Sequence, residues 1–181
     1  VEETPAREIG AYAGIGSWEG YIVGGTFQHY NLFGAVRRLD TRIEFTSRGM
    51  TGDVNVFEPW VFGEKTTLSG GLYAHGRDND GYTKFELGGQ VELSYDFNEY
   101  TKLSLFSRVS FTDILEHQVV DEELGATSYL THSGGISFSY DRRDNGALPT
   151  SGFIFNASAD VASSLIGSEV DFFRSTGRFT Y

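Results

Sequence analysis

Near-perfect alternation of apolar and polar residues between Thr83 and Phe97 constrains the fold of this chain more than any other feature. The odd positions are mostly apolar or aromatic, whereas the even positions are charged, amide-bearing, serine or glycine. A period of two places these sets on opposite faces of one β-strand. The segment is longer than a usual soluble strand, and a tilted strand crosses a hydrocarbon layer with about 9–11 residues. It therefore predicts a membrane-spanning strand.

The same alternation recurs along the whole chain and predicts about ten strands. They are Ile9–Ile15, Tyr21–His29, Ala35–Ser47, Thr51–Glu58, Thr66–His75, Thr83–Phe97, Thr101–Asp113, Leu130–Asp141, Phe153–Val161 and Glu169–Tyr181. Short turns are predicted at Asn31–Gly34, Pro59–Glu64 and Asn98–Tyr100, and longer polar loops at Ser17–Gly20, Arg77–Gly81 and Leu115–Tyr129. Short turns at one end, longer loops at the other and aromatic residues at strand ends are typical of an outer-membrane barrel. We expect an all-β, antiparallel transmembrane β-barrel.

Composition narrows the possible functions. The net charge is −11, from 14 basic and 25 acidic residues, which argues against a nucleic-acid partner because phosphate binding needs clustered Lys and Arg. The chain contains no cysteine, so it offers neither a disulfide framework nor thiol chemistry. No apolar run is long enough to predict a transmembrane helix, and no signal-peptide pattern opens the chain.

Periodicity alone does not tell the inside of a barrel from its outside. A soluble sandwich or a lipocalin-like barrel, with its apolar face inside, is the alternative to a membrane barrel. The polar face favours the membrane barrel, since it mixes glycine and serine with charges of both signs, as in a wet lumen. The residues expected to face that lumen are Lys84, Glu86, Gln90, Glu92, Lys102 and Arg108.

No catalytic, cofactor or metal site is expected. The four histidines, His29, His75, His117 and His132, lack the spacing of metal ligands, and no nucleophile elbow accompanies the serines. The glycine pairs Gly70-Gly71 and Gly134-Gly135 fit close strand packing, since no helix follows them. Acidic loop residues are candidates for divalent cations at a cell surface, although solubilising loops explain them better. They are Asp78, Asp80, Asp121, Glu122 and Glu123.

Five segments in order resemble the outer-membrane protein insertase and translocase superfamily typified by BamA and TamA. The most specific is the turn motif, in which a strand ending in an Asp-Arg pair is followed by Pro-Thr-x-Gly. Its residues are Tyr140, Asp141, Arg142, Arg143, Asp144, Asn145, Pro149, Thr150, Ser151 and Gly152. The other segments are the glycine-rich first strand Ile9–Gly16, the turn Asn31–Gly34, Glu58-Pro59-Trp60 and Gly167–Phe172. Asx side chains, Pro149 and Gly152 suit a self-paired turn, which explains its charges better than catalysis does.

The resemblance implies a non-enzymatic barrel in the outer membrane of a Gram-negative bacterium. Its first strand pairs poorly with the last and opens sideways to template client β-barrel proteins. The lateral-seam strand comprises Ile9, Gly10, Ala11, Tyr12, Ala13, Gly14, Ile15 and Gly16. Its glycines and alanines predict weak side-chain packing across the seam. The implied partners are outer-membrane lipid, lipopolysaccharide, client barrels, and periplasmic POTRA domains or accessory lipoproteins; no cofactor is implied.

The chain also departs from the family pattern. The family barrel has sixteen strands, of which residues 1–181 supply the first ten or so as one transmembrane domain without POTRA domains. The family's Arg-Gly-Phe/Tyr loop has no match in this sequence. A closed ten-stranded barrel is the alternative, since Phe179-Thr180-Tyr181 resembles an aromatic C-terminal barrel signal. A passive channel, with Arg38 and Arg42 among its selectivity residues, is the alternative function, and a lipid-acting enzyme lacks a nucleophile cluster.

Overall fold

A computed structural model describes residues 6–115 and 126–181 and shows one antiparallel sheet of ten strands. Each strand pairs with the next in chain order from β1 to β10. The strands are β1 (Arg7–Gly16), β2 (Gly20–Leu32), β3 (Arg37–Thr46), β4 (Gly49–Pro59), β5 (Thr66–Asn79), β6 (Tyr82–Asn98), β7 (Thr101–Leu115), β8 (Ser128–Asp141), β9 (Ile154–Ala162) and β10 (Phe172–Thr180). The all-β prediction and the ten strands are confirmed, and the Thr83–Phe97 segment forms β6, the sixth strand.

Two strands begin two or more residues later than predicted, for local reasons. β3 begins at Arg37 because Val36 has a φ of 58°, a left-handed conformation that a strand cannot contain. β10 begins only at Phe172, because a short 3-10 turn over Ser164–Ile166 comes first and Glu169 is hydrogen-bonded to Leu130 of β8.

The predicted contrast between short turns and long loops is wrong. The expected polar loop Arg77–Gly81 is largely strand: β5 continues to Asn79 and only Asp80 and Gly81 turn the chain. At the opposite end of the sheet, the connection at 142–153 is long. Connection length therefore does not separate the two ends of this sheet, although strand alternation does separate its faces.

Burial decides which face is inside. In β7, outward Leu105 is 56% exposed, whereas its neighbour Ser104 is 3% exposed. Across the described residues the one buried apolar side chain is Ala162, and the other buried residues are polar. They are Thr66, Ser94, Ser104, Ser110, Thr112, Ser133, Asp160 and Ser168. The polar side chains thus lie close together and are covered, whereas the apolar side chains point outward and are exposed. This is the arrangement of a membrane barrel rather than of a soluble sandwich.

The sheet is open in the part of the chain that the structure describes, because no pairing joins β1 to β10. Within residues 6–115 and 126–181, no helix is long and apolar enough to cross a membrane.

Candidate functional site

The first strand lies at one edge of the sheet. β1 pairs with β2 along its whole length, from Arg7 opposite His29 to Gly16 opposite Gly20. Among the described strands it has no neighbour on its other side. That edge presents a row of backbone N–H and C=O groups available to another strand.

Most residues of β1 make few side-chain contacts on either face of the sheet. Ile9 and Ile15 are 80% and 92% exposed. A Cβ atom added at Gly14, on the polar face, would meet no other atom within 4 Å. By contrast, Gly10 lies against the Thr26 side chain of β2. The middle of β1 is therefore held to the sheet by its backbone ladder and by very few side chains.

Tyr12 is the exception. Its hydroxyl donates a hydrogen bond to Glu44 Oε2 on β3 at 2.6 Å, so the side chain reaches across the whole of β2. The ring lies on Gly24, the residue directly opposite on β2, where any Cβ would overlap it. Arg42 Nη2 donates to the same Glu44 oxygen at 2.8 Å. Tyr12 and Arg42 thus donate to one shared acceptor, Glu44 Oε2, on the polar face.

The ends of the β1–β2 hairpin are also tied on this side. Near the start of β1, the Tyr30 hydroxyl contacts Glu8 Oε2 at 2.9 Å. At the turn, Glu19 accepts a hydrogen bond from Arg77 of β5 at 2.6 Å. The Arg48 guanidinium lies 4.3 Å from the Trp18 ring and pairs with Asp80. The first three turns at this end of the sheet are therefore linked by charge-assisted contacts.

The six residues expected to face the lumen all lie on the polar face of β6 and β7, where several of them meet polar neighbours. Lys84 pairs with Glu86 at 2.8 Å, and Arg108 donates to Gln90 at 3.3 Å. Lys102 lies 3.4 Å from Asp96. Glu92 accepts a hydrogen bond from Ser94 at 2.9 Å. Much of the charge on this wall is thus neutralised locally.

The turn motif between β8 and β9 is organised by Asp144. Its Oδ1 accepts hydrogen bonds from the backbone N–H groups of Asn145, Thr150 and Ser151 at 2.9–3.1 Å. Its Oδ2 accepts from the Thr150 hydroxyl at 2.5 Å. These donors lower the pKa of Asp144 to about 2, because they stabilise the carboxylate. Gly152 has a φ of 99°, and a Cβ there would overlap the Arg142 carbonyl.

The two arginines of the motif bind different partners. Arg143 makes a two-pronged contact to Asp141, at 2.9 Å and 2.6 Å. Arg142 donates to the Tyr140 hydroxyl at 3.0 Å and stacks 4.2 Å from the Tyr100 ring in the β6–β7 turn. The motif is therefore a self-paired turn that also contacts its neighbour, the β6–β7 turn.

The histidines are dispersed over the sheet. His75 Nε2 lies 3.1 Å from Asp53, and His132 contacts Ser107 and the Ile166 carbonyl at 3.0 Å and 2.5 Å. Among residues 6–115 and 126–181, no three His, Cys, Asp or Glu side chains come together as a metal site. Asp80, one of the candidate cation ligands, pairs with Arg48 instead. Asp78 accepts a hydrogen bond from the Thr83 hydroxyl at 3.4 Å. The other three candidates, Asp121, Glu122 and Glu123, lie with His117 outside the described residues.

Sequence reasoning missed two arrangements on the polar face. The first is the support of Tyr12 by Gly24 and Glu44, for which the only signal is a tyrosine that falls opposite a glycine once the hairpin register is known. The second is Asp160, 4% exposed, which receives two hydrogen bonds from Arg174 at 3.0 Å and 2.8 Å.

Comparison with known proteins agrees with this architecture. Residues 31–181 match the Omp85 superfamily domain. Among solved structures, the crystal structure of BamA from Haemophilus ducreyi lacking POTRA domains 1–3 is similar, with a TM-score of 0.83 at 15% sequence identity. The similarity covers 98% of this chain and 37% of the BamA chain, so the chain spans little more than a third of that protein. No curated protein matches the sequence significantly.

Proposed function

This chain belongs to the Omp85 superfamily, and on that premise we propose that it helps to insert or translocate other β-barrel proteins at the outer membrane. In this proposal residues 1–181 form one domain, the first part of a larger barrel. β1 is the lateral-seam strand, and its free edge pairs with a strand of the client. No covalent chemistry is involved, because the client's own folding drives the process.

The observation that carries the proposal is the free edge of β1. Strand addition at an exposed edge supplies backbone hydrogen bonds regardless of the client's sequence. No atom lies within 4 Å of a Cβ placed at Gly14, and the side chains of Ile9 and Ile15 are exposed, which leaves room for an incoming strand. The outward apolar face supports insertion in a lipid bilayer.

The partners in this proposal follow from the same surfaces. Outer-membrane lipid and lipopolysaccharide cover the apolar face of a Gram-negative outer-membrane barrel, and client barrel strands meet the β1 edge. POTRA domains or accessory lipoproteins attach at the periplasmic end. The polar face, with its locally paired charges, lines the interior.

Crosslinking in cells tests the proposal in the full-length protein. Ala13 suits the cysteine, since it is exposed on the outward face of β1 and makes no contact with Glu44. We expect Ala13→Cys to form disulfides with cysteines in the last strand of a client barrel during assembly. The matched control is Ala74→Cys, which lies on the same apolar face in the internal strand β5.

Adducts at Ala13 and none at Ala74 support the proposal. Equal yields at both positions, or none at Ala13 during active assembly, would overturn it. Planar-bilayer conductance separates the alternative: a passive channel gives steady ohmic current, and its depletion leaves the levels of other outer-membrane proteins unchanged.

A further inference from the structure

The register of β1 against β2 depends on unusually few side chains. A strand rich in glycine and alanine has weakly specified register, because no pattern of large side chains penalises a slip. On the polar face of β1, Gly10, Gly14 and Gly16 carry no side chain. Tyr12 is therefore the one large side chain in the middle of this face.

The side chain of Tyr12 fits its neighbours on β2 and β3 in the native register of β1 against β2. Its ring needs a glycine directly opposite, and Gly24 supplies it. Its hydroxyl needs an acceptor in the next strand, and Glu44, directly opposite Gly24 on β3, supplies it at 2.6 Å. A slip of two residues would place Tyr12 opposite Ile22 or Thr26, which have side chains where the ring must lie.

The acceptor is itself fixed. Arg42 Nη2 holds Glu44 Oε2 at 2.8 Å, and Arg42 lies two residues before it on the same face of β3. The Glu44 side chain is mostly covered, at 20% exposed. Because the Arg42 contact lies within β3, it does not depend on β1 and can hold the carboxylate before β1 docks.

We propose that Tyr12 is a positioning residue that sets the register of β1 by locking onto Gly24 and Glu44. The consequence of this proposal rests on the proposed function: if β1 is a template strand, its fixed register is imposed on the client strand that pairs with it. Backbone hydrogen bonds to β2 supply most of the attachment of β1, and in mid-strand the Tyr12 contact favours the native register over a slipped one.

The sheet contains a related tyrosine–glycine pair away from the edge, whose acceptor lies on the opposite strand rather than one strand further on. Tyr73 on β5 lies with its ring on Gly88 of β6, directly opposite, and its hydroxyl donates to Glu86 at 3.1 Å. β5 has partners on both sides, so many other contacts fix its register. Tyr73→Phe is therefore the control for Tyr12→Phe, since it removes the same hydroxyl from an internal strand.

Disulfide mapping in the full-length protein reads the register directly. Ala13 and Val23 are directly opposite, so Ala13→Cys with Val23→Cys reports the native register. Ala11→Cys with Val23→Cys reports a two-residue slip. All three positions lie on the outward face, and residues 1–181 contain no native cysteine. The measured quantity is the ratio of slipped to native disulfide.

We expect Tyr12→Phe to raise that ratio about tenfold, since a hydrogen bond to a charged group is lost. Gly24→Ala and Glu44→Leu should act in the same direction, and Glu44→Gln, which keeps an oxygen acceptor, should act least. Tyr73→Phe should leave the ratio unchanged. Gly24→Ala is the variant most at risk of misfolding. Tyr12→Phe and Glu44→Leu test the register proposal without it.

An unchanged ratio in Tyr12→Phe overturns the inference, and so does an equal rise in Tyr73→Phe. This outcome is separable from the proposed function. Client adducts at Ala13→Cys with no change in register would reject the lock alone. A register change without any client adduct would reject the proposed function and leave the lock standing.

Discussion

The first hairpin, β1–β2, and the central hairpin, β6–β7, follow the same alternating pattern but are held together differently. In the centre, Ser94 and Ser104 are buried and hydrogen-bonded to each other at 2.9 Å, and Arg108 reaches back to Gln90. In β1, Tyr12 makes the one comparable contact in mid-strand. The central hairpin is held by several side-chain contacts along its length, whereas the first is held at its ends and, in mid-strand, mainly by Tyr12.

The difference between the hairpins shows that backbone hydrogen bonds hold two strands together, whereas side-chain contacts decide which residues lie opposite each other. Both hairpins have extensive antiparallel ladders. A slip in β6 would displace a row of packed polar side chains, whereas a slip in β1 would displace mainly Tyr12 and, at the strand start, the Glu8–Tyr30 contact. In the proposed function β1 exchanges partners, and a strand with few side-chain contacts has few contacts to break in that exchange.

The largest expected effect comes from reversing a feature that both hairpins share, an apolar outward face and a polar inward face. Ile136 and Ser137 are adjacent in β8 but face outward and inward, respectively. Ile136→Arg should lower the free energy of unfolding by about 2–4 kcal/mol, because it places a charge in the hydrocarbon. Ser137→Arg should cost far less, since it points into a polar cavity of about 340 Å³ that Glu92 and Asp160 also line.

Urea unfolding of the barrel in lipid bilayers measures both variants. Equal losses of stability for Ile136→Arg and Ser137→Arg would contradict the assignment of the apolar face to the membrane, and a larger loss for Ser137→Arg would reverse it.

A smaller effect sharpens the contrast between centre and edge. Ser104→Ala removes a buried hydroxyl bonded to Ser94, and it should lower the free energy of unfolding by about 0.5–1.5 kcal/mol. Gly14→Ala adds a methyl group where nothing lies within 4 Å, so we expect it to be neutral or slightly stabilising, since glycine inside a strand costs about 0.5–1 kcal/mol relative to alanine. Denaturant midpoints compare the two, and a destabilising Gly14→Ala would show that the edge is packed more tightly than described.

The strands were predictable from sequence because alternation is a local property. Thr83–Phe97 lies within the observed β6, and the neighbouring strands follow from the same period. Errors occurred where a single backbone conformation overrides the pattern. Val36 looks like a strand residue but adopts a left-handed φ, and Arg77–Asn79 looks like a loop but continues β5.

The contacts of the candidate site were not predictable in the same way. Tyr12 and Glu44 are separated by two turns in the sequence, and their proximity depends on the register that both turns impose. The inward direction of the polar face was likewise ambiguous, because a period of two is identical for a membrane barrel and for a soluble sandwich. Burial of Ser104 beside exposed Leu105 resolves it.

The smallest expected effect extends the comparison to the turns and depends on pH. Asp144 organises the β8–β9 turn, and its pKa falls from 3.8 to about 2. Because this pKa is depressed in the folded state, the carboxylate's contribution is complete above pH 3.8 and is lost as the pH falls towards about 2. The amide resonances of Thr150 and Ser151, which donate to Asp144, should therefore titrate with a midpoint near pH 2. Asp144→Asn should abolish that titration, and a midpoint near 3.8 would mean that the turn adds nothing to the stability of the ionised form.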